Sequence, residues 1–275
     1  LITLLVDPRR FDAAETSGGA YGGPTGESAS APIGSPGKAA AELVVEGDAY
    51  RHLFRARRMT VGERLRVVDG AGRARWGEVV GVGRNSALVA LGEPAAANEP
   101  RLRLELLVAT LRPERAAWLV EKATELGISA VRFLNTDRGP RSFGEGTAAR
   151  LRRVAGAAVE QCHRARCPEV TGPHPFAELA RLAAAGRRWL LDPAAPVSGF
   201  DLSASPPSPP PSLLSVESLL VGPEGGWSPA EAKALAAAGW QRVSLGPRTL
   251  RIETAALAGA ALLLLPARRS EDEAE

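Results

Sequence analysis

The chain has 275 residues, enough for one large domain or two small ones with a full hydrophobic core. Its 45% hydrophobic and 24% charged content is that of a globular protein. With 34 Lys and Arg against 31 Asp and Glu the net charge is only +3, so any attraction for a polyanion must be local. The longest apolar runs, Ile2 to Val6 and Ala255 to Leu265, fall short of the roughly 18 residues that a membrane helix needs, which excludes a membrane partner. Arg9 and Arg10 follow the first run rather than precede it, against a secretory leader, and the expected location is the cytoplasm. Position 1 is Leu, which fits an unusual start codon or a trimmed N-terminus. Cys162 and Cys167 are too few for a disulfide framework and wrongly spaced for zinc, so both read as reduced thiols and no metal site is expected.

Residues 1–12 read as a short strand and turn, and 13–39, rich in Gly, Ser, Pro and Ala, as a mobile insertion. Four β-rich pieces follow, at Glu42 to Val45, Arg64 to Val68, Trp76 to Val82 and Ala87 to Leu91, separated by Gly turns, the signature of a small barrel or sandwich. Turn residues at Glu93 to Glu99 mark a boundary, giving domains of 1–93 and 94–268. In the second domain, a strand at Leu102 to Ala109, a helix at Glu114 to Leu126 ending at Gly127 and a strand at Ala130 to Leu134 form a βαβ unit. Helices at Ala148 to Cys162 and Phe176 to Ala185 precede a strand at Arg188 to Leu191 and a Pro/Ser-rich loop over 193–212. A strand at Ser218 to Val221, a helix at Pro229 to Ala238, a strand at Arg242 to Leu245 and a helix from about Glu253 to Leu265 complete an alternating α/β domain, followed by an acidic tail at 269–275. The last helix is apolar nearly all round and is expected to be buried. Trp76, Trp118, Trp189 and Trp240 read as core, whereas Trp227 sits in a loop and could shield a ligand.

The most informative stretch is Gly222-Pro-Glu-Gly-Gly226, which follows an apolar strand and precedes Ser228 and Glu231, a capping box with Pro229 at the first helical position. Spacing alone reads equally as a tight strand-to-helix turn or as a ligand-facing loop at the carboxyl end of a strand. It is no phosphate loop, because no Gly-Lys-Ser/Thr follows. Leu245-Gly-Pro-Arg-Thr-Leu-Arg-Ile-Glu-Thr254 repeats the arrangement, and two such loops side by side build one pocket. Its charges, Arg248, Arg251 and Glu253, read either as helix capping with solvated arginines or as groups facing a cleft. Residues 51–75 hold eight arginines against Glu63 and Asp69, a local net charge of +6, which is either a solvated face or a phosphate-binding surface. His52 and His163 read as polar contacts.

These motifs carry a resemblance. Gly222 to Gly226 followed by Leu245 to Ala255 resembles the C-terminal signature of the RsmE family, the 16S ribosomal RNA uridine-N3 methyltransferases of the SPOUT superfamily. Lys122-Ala-Thr-Glu-Leu-Gly127, Asp137-Arg138, and Glu160-Gln161 with Arg164, Arg166 and Pro168 resemble its central segments in the same order. His52-Leu53, Arg58, Val61-Gly62 and Asp69-Gly70 resemble its PUA-like RNA-binding domain, so the likeness covers nearly the whole chain apart from the two low-complexity insertions. The chain departs from the family at Ala56-Arg57, where Val-Leu is usual, at Arg112, where Lys is common, and at Thr249, where Ile is usual.

The resemblance implies an α/β fold, a SPOUT-type trefoil-knotted C-terminal domain with a smaller N-terminal PUA-like β-barrel. It implies S-adenosylmethionine as methyl donor, a homodimer, and 16S rRNA within the small ribosomal subunit as partner. The cofactor pocket it implies comprises Leu191, Leu220, Val221, Gly222, Pro223, Glu224, Gly225, Gly226, Leu245, Gly246, Arg248, Leu250 and Arg251. RNA contacts fall to His52, Arg55, Arg57, Arg58, Arg112, Arg138, Arg164 and Arg166. Methylating N3 requires loss of the imide proton. Glu253 is read as the group that takes it and Arg251 as the cation that stabilises the resulting charge, or both as groups that orient the base or a partner protomer. The competing functions are a non-catalytic RNA-binding or ribosome-assembly protein and a SPOUT methylase with another RNA target.

Overall fold

The computed structural model describes residues 1–16, 41–140, 142–196, 200 and 216–265. It divides into two compact units, Leu1–Asn98 with His163–Arg166, and Glu99–Cys162 with Cys167–Glu275. The sequence boundary at 93/94 lies a few residues earlier, and nothing in composition marks the return of 163–166 to the first unit. Most of the expected insertion, most of the Pro/Ser-rich loop and all of the acidic tail lie outside the described residues. Among the described residues no helix is long and apolar enough to cross a membrane.

The first unit contains β1 (Thr3–Leu5), α1 (Pro8–Thr16), β2 (Ala41–Glu46), α2 (Gly47–Tyr50) continuing as a π-helical segment Arg51–Ala56, β3 (Arg64–Val68), β4 (Ala74–Val82) and β5 (Ser86–Pro94). The strands form one sheet in the order β1-β3-β4-β5-β2, parallel between β1 and β3 and antiparallel elsewhere. Alternation sets its inner face: Leu43 and Val45 are buried while Val44 between them is exposed. Two helical stretches depart from the sequence reading. Residues 8–16 are helical, not turn and loose insertion, because Phe11 and Ala14 are buried against the sheet with the Arg73 guanidinium over the Phe11 ring. Two apolar anchors are too few to show a period. Residues 47–56 are helical for the same reason, anchored by Tyr50, Leu53 and Phe54.

His163–Arg166 is built into this unit: His163 Nδ1 lies 2.8 Å from Thr3 Oγ1, and Ala165 N donates to Ala97 O at 3.0 Å. Arg66 is 2% exposed and donates to the carbonyls of His163 and Ala96; burial lowers its pKa. Burial alone would raise the Asp69 pKa. Hydrogen bonds from the Arg73 side chain and from the amides of Arg73 and Ala71 outweigh it, and the net shift is downward.

The second unit contains β6 (Arg103–Ala109), α3 (Pro113–Leu126), β7 (Ala130–Asn135), α4 (Glu145–Cys162), β8 (Glu169–Pro175), a 3-10 turn Phe176–Glu178 leading into α5 (Leu179–Leu182), β9 (Arg188–Leu191), β10 (Val216–Val221), α6 (Pro229–Ala237), β11 (Gln241–Val243) and α7 (Ile252–Leu264). All six strands are parallel, in the order β11-β9-β10-β6-β7-β8. The order reverses between β6 and β10, a topological switch point. One face packs Leu106, Leu219 and Val221 against α3, α4 and α7; the other packs Leu107, Leu134 and Leu220 against α5 and α6.

Four expectations change here. Strand β8 was not anticipated, because Gly172, Pro173 and Pro175 interrupt its pattern. The helix expected at 176–185 shortens to the 3-10 turn and α5. Trp118 is 45% exposed rather than core. Helix α7 is buried on one side only, with Leu262 facing out and Leu265 exposed just past its end, since an all-apolar helix carries no period to tell its faces apart.

Helix α3 begins with Pro113 at its first turn and ends at Gly127, which has φ 103°. A Cβ on Gly127 would lie 2.3 Å from Pro100 Cγ. Gly127→Ala is therefore expected to destabilise the protein by about 1–3 kcal/mol, read as a lowered urea midpoint. An unchanged midpoint would show that the turn relaxes without cost.

Candidate active site

Because β9, β10 and β11 are parallel, their following loops emerge at one sheet edge and line a cavity of about 590 Å³. Leu191, Asp192 and Pro193 come from the first loop; Val221, Gly222, Pro223, Glu224, Gly226 and Trp227 from the second; Val243, Leu245, Gly246, Arg248, Thr249, Leu250, Arg251, Ile252 and Ala255 from the third. Two expected residues are not on its wall. Leu220 is fully buried on the opposite face with Leu107 and Leu134, since adjacent strand residues point to opposite sides. Gly225 turns to a neighbouring cavity, where its carbonyl accepts from Arg138 Nη1 at 3.2 Å. Val243, Ile252 and Ala255 were not anticipated; they are ordinary apolar residues whose role depends on which way their elements face.

The second loop is held by its helix cap. Ser228 Oγ accepts from Glu231 N at 3.3 Å, and Glu231 Oε2 accepts from Ser228 N at 2.8 Å, the reciprocal bonds expected from the sequence. Glu231 Oε1 also accepts from Asp137 N at 3.0 Å, which ties this loop to the one after β7. Gly222 lies beneath the Trp227 indole, where a Cβ would come within 2.7 Å of the ring. Gly246 has φ 101°, a conformation other residues rarely adopt. Apolar side chains, exposed glycine-loop backbone and the charged groups Glu224, Arg248 and Arg251 together suit a ligand with an aromatic base, a polar sugar and a charged end. The volume is ordinary for a cofactor site.

A second cavity, of about 540 Å³, shares Glu224 and Ile252 with the first. Its remaining walls are Thr110, Leu111, Arg112, Arg115, Arg138, Gly139, Pro140 and Gly225. Arg112 and Arg138, both expected RNA contacts, are exposed here. Arg115 was missed by sequence reasoning, which had no local signal for it. Arg251 lines the first cavity as the N-cap of α7. Glu253 lines neither. It is 7% exposed, its Oε1 lies 3.3 Å from Arg115 Nη1, and its Oε2 has no hydrogen-bond partner among the described residues. Successive helical residues are rotated by about 100°, so with Ile252 facing the cavities Glu253 turns towards α3. Of the readings of Glu253 from the sequence, this placement sets it behind Arg115 rather than directly in a cleft.

In the first unit, the expected stripe of eight arginines resolves into a smaller group. Arg66 is buried; Arg51 pairs with Asp48, Arg64 with Glu93, Arg73 with Asp12, Glu15 and Asp69, and Arg75 with Glu15. His52, Arg55, Arg57 and Arg58 remain exposed around the end of the π-helical segment, with Arg55 donating to Arg84 O at 2.7 Å. Arg164 is 3% exposed, which removes it from the surface where an RNA contact must lie. Its segment is packed into the unit rather than projecting from it. Arg166 is half-buried with its guanidinium against Gly72.

The RNA methyltransferase domain family matches residues 98–264, and the RNA methyltransferase PUA domain family matches residues 45–91. The chain is 33% identical over 235 residues to ribosomal RNA small subunit methyltransferase E of Mycobacterium bovis, covering 78% of this chain and 83% of that one. It is 26% identical to the protein of the same name from Bacillus subtilis, covering 78% and 86%. Among solved structures it resembles a Legionella pneumophila methyltransferase in complex with its cofactor SAM (TM-score 0.68, 28% identity, covering 82% of this chain and 91% of that one). It also shares the fold of the Neisseria gonorrhoeae ribosomal RNA small subunit methyltransferase E (TM-score 0.71, 24% identity, covering 82% and 91%).

Gly222→Ala pushes a methyl group into the Trp227 ring that walls the cavity. The expected result is adenosylmethionine affinity weakened by about tenfold, the equivalent of about 1.4 kcal/mol, in calorimetry, with the circular dichroism spectrum unchanged. Wild-type affinity would mean that Trp227 is not a fixed wall.

Proposed function

Since the chain belongs to the ribosomal RNA small subunit methyltransferase E family, we propose that it methylates N3 of a uridine in 16S rRNA with S-adenosylmethionine as donor. The observation that carries this reading is the cavity built from three glycine-bearing or proline-bearing loops at one edge of a parallel sheet, with an arginine-lined cavity sharing its wall. The residues fit the donor: it has no phosphate, and among the described residues the cavity wall carries no lysine and no phosphate loop. When bound, S-adenosylmethionine supplies a sulfonium methyl group, which passes to N3 as the carbon–sulfur bond breaks and its electrons stay on sulfur. Leu191, Val221, Leu245 and Leu250 form apolar walls for the base of the donor, and the backbone of Gly222 and Gly246 leaves room for close approach. Arg112 and Arg138 hold the target nucleotide in the second cavity. Arg251, on the wall of the first cavity, and Glu253 serve the methyl-transfer step, Arg251 by stabilising charge on the uracil.

Three further parts belong to the same reading. The first unit holds RNA through His52, Arg55, Arg57 and Arg58, the three arginines having no ion pair among the described residues. A homodimer is supported by the exposed apolar residues Trp118 on α3 and Leu262 on α7, helices that pack together. The loops after β9, β10 and β11 are the segments that a trefoil knot would thread, and the substrate is the small ribosomal subunit.

Nucleoside mass spectrometry of 16S rRNA from a strain lacking this protein is expected to show loss of 3-methyluridine, restored by complementation. Loss of a different nucleoside would assign another target, and an unaltered profile with no adenosylmethionine binding would favour a non-catalytic RNA-binding protein. Replacing Arg55, Arg57 and Arg58 together by Ala is expected to weaken RNA binding and to flatten its salt dependence. The slope of log affinity against log salt should fall by about 0.7 for each lost phosphate contact on single-stranded RNA. An unchanged slope would place the RNA surface elsewhere.

A further inference from the structure

We propose that Arg115, in addition to Arg251, faces the target pyrimidine, and that Glu253 acts through Arg115 as a positioning residue rather than by taking the imide proton itself. This rests on the uridine-N3 reading above.

Three observations converge on Arg115. It stands in the first turn of α3 and lines the cavity that carries Arg112 and Arg138, next to the wall shared with the glycine-loop cavity. Its Nη1 lies between two carboxylates on different elements, 3.3 Å from Glu253 Oε1 on α7 and 3.6 Å from Glu224 Oε1 on the glycine loop. Glu253, the more buried of the two, lines neither cavity. A general base must come within hydrogen-bond reach of the proton it removes, and the geometry instead directs Glu253 to the guanidinium.

The chemistry follows from the shape of that guanidinium. It offers five N–H donors in a rigid plane, and the carboxylates engage one nitrogen, leaving donors for the pyrimidine. Uracil that has lost its N3 proton spreads the negative charge over N3 and its two flanking carbonyl oxygens. A guanidinium donating to one of those oxygens stabilises the anion more than the neutral imide, so it eases proton loss and adds to transition-state stabilisation. The proton passes to water, the N3 lone pair forms the new N–C bond, and the donor leaves as neutral S-adenosylhomocysteine. Glu253 holds the guanidinium, and Glu224 links its position to the loop that walls the donor cavity.

The test uses the full-length protein, 16S rRNA or small subunits from a strain lacking the activity, and single-turnover methylation across a range of pH. Glu253→Gln keeps an oxygen that can accept from Arg115 and is expected to stay within about tenfold of wild type, with the same pH profile. Arg115→Ala and Glu253→Ala are each expected to lose about 100-fold in rate, and the double variant to be no slower than Arg115→Ala. Arg115→Ala should also require more alkaline pH for its maximal rate and recover part of its activity in added guanidinium. Arg115→Lys, which keeps the charge but not the planar fork, should fall between. Calorimetry with adenosylmethionine, expected near wild type throughout, reports that each variant is folded. The inference is overturned if Glu253→Gln is as inactive as Arg115→Ala and loses the acid limb of the profile, which would make Glu253 the base. It is equally overturned if Arg115→Ala alters only KM for RNA with the profile unmoved. Wild-type protein that forms no 3-methyluridine at any pH would remove the underlying reading, and this inference with it.

Discussion

Six parallel strands impose a common direction, and the site depends on that constraint. Parallel pairing of β9 with both β10 and β11 delivers three chain segments to the same edge, although more than fifty residues separate Leu191 from Gly246. The reversal of strand order between β6 and β10 brings the loop after β6, with Thr110 to Arg112, alongside the glycine loop after β10. Two cavities with different linings thus share a wall two residues thick in sequence terms, Glu224 and Ile252. Neither cavity belongs to a single motif, and a change in register of β10 would exchange Val221 for Leu220 and dismantle both.

Buried carboxylates in the second unit show how the same residue type takes different roles. Glu231 has both oxygens engaged by backbone amides, at Asp137 and Ser228, and works as a structural clamp. Glu217 is likewise satisfied on both sides, by Arg187 Nε at 2.8 Å and Trp189 Nε1 at 2.7 Å. Glu253 differs: one oxygen meets Arg115 and the other has no hydrogen-bond partner among the described residues. Buried polar atoms are nearly always paired, and that sets Glu253 apart from Glu231 and Glu217, whose oxygens are all engaged.

Charge in the first unit follows a similar division. A count over residues 51–75 treats every arginine alike, but tertiary neighbours sort them. Arg66 serves as an internal donor to two carbonyls, and Arg73 and Arg75 bind the acidic side chains of α1. What stays open at the surface is the group around the π-helical segment, smaller than the stripe but compact.

Local signals were legible because local physics produces them. The capping box at Ser228 and Glu231, the Gly127 helix end, the alternating strands β2 to β5 and the glycine loops after β10 and β11 all depend on residues within a few positions of one another, and each was readable before any fold was known. Helix α1, strand β8, the outward face of α7, the burial of Arg164 and the pairing of Arg115 with Glu253 depend on partners far away in the chain. Periodicity cannot report a helix anchored by two residues or the facing of one that is apolar throughout. A side chain's neighbour across the fold leaves no trace in its own flanking residues, and so the amino-acid order determined the locally signalled elements and the family, while packing alone decided which charges reach the site.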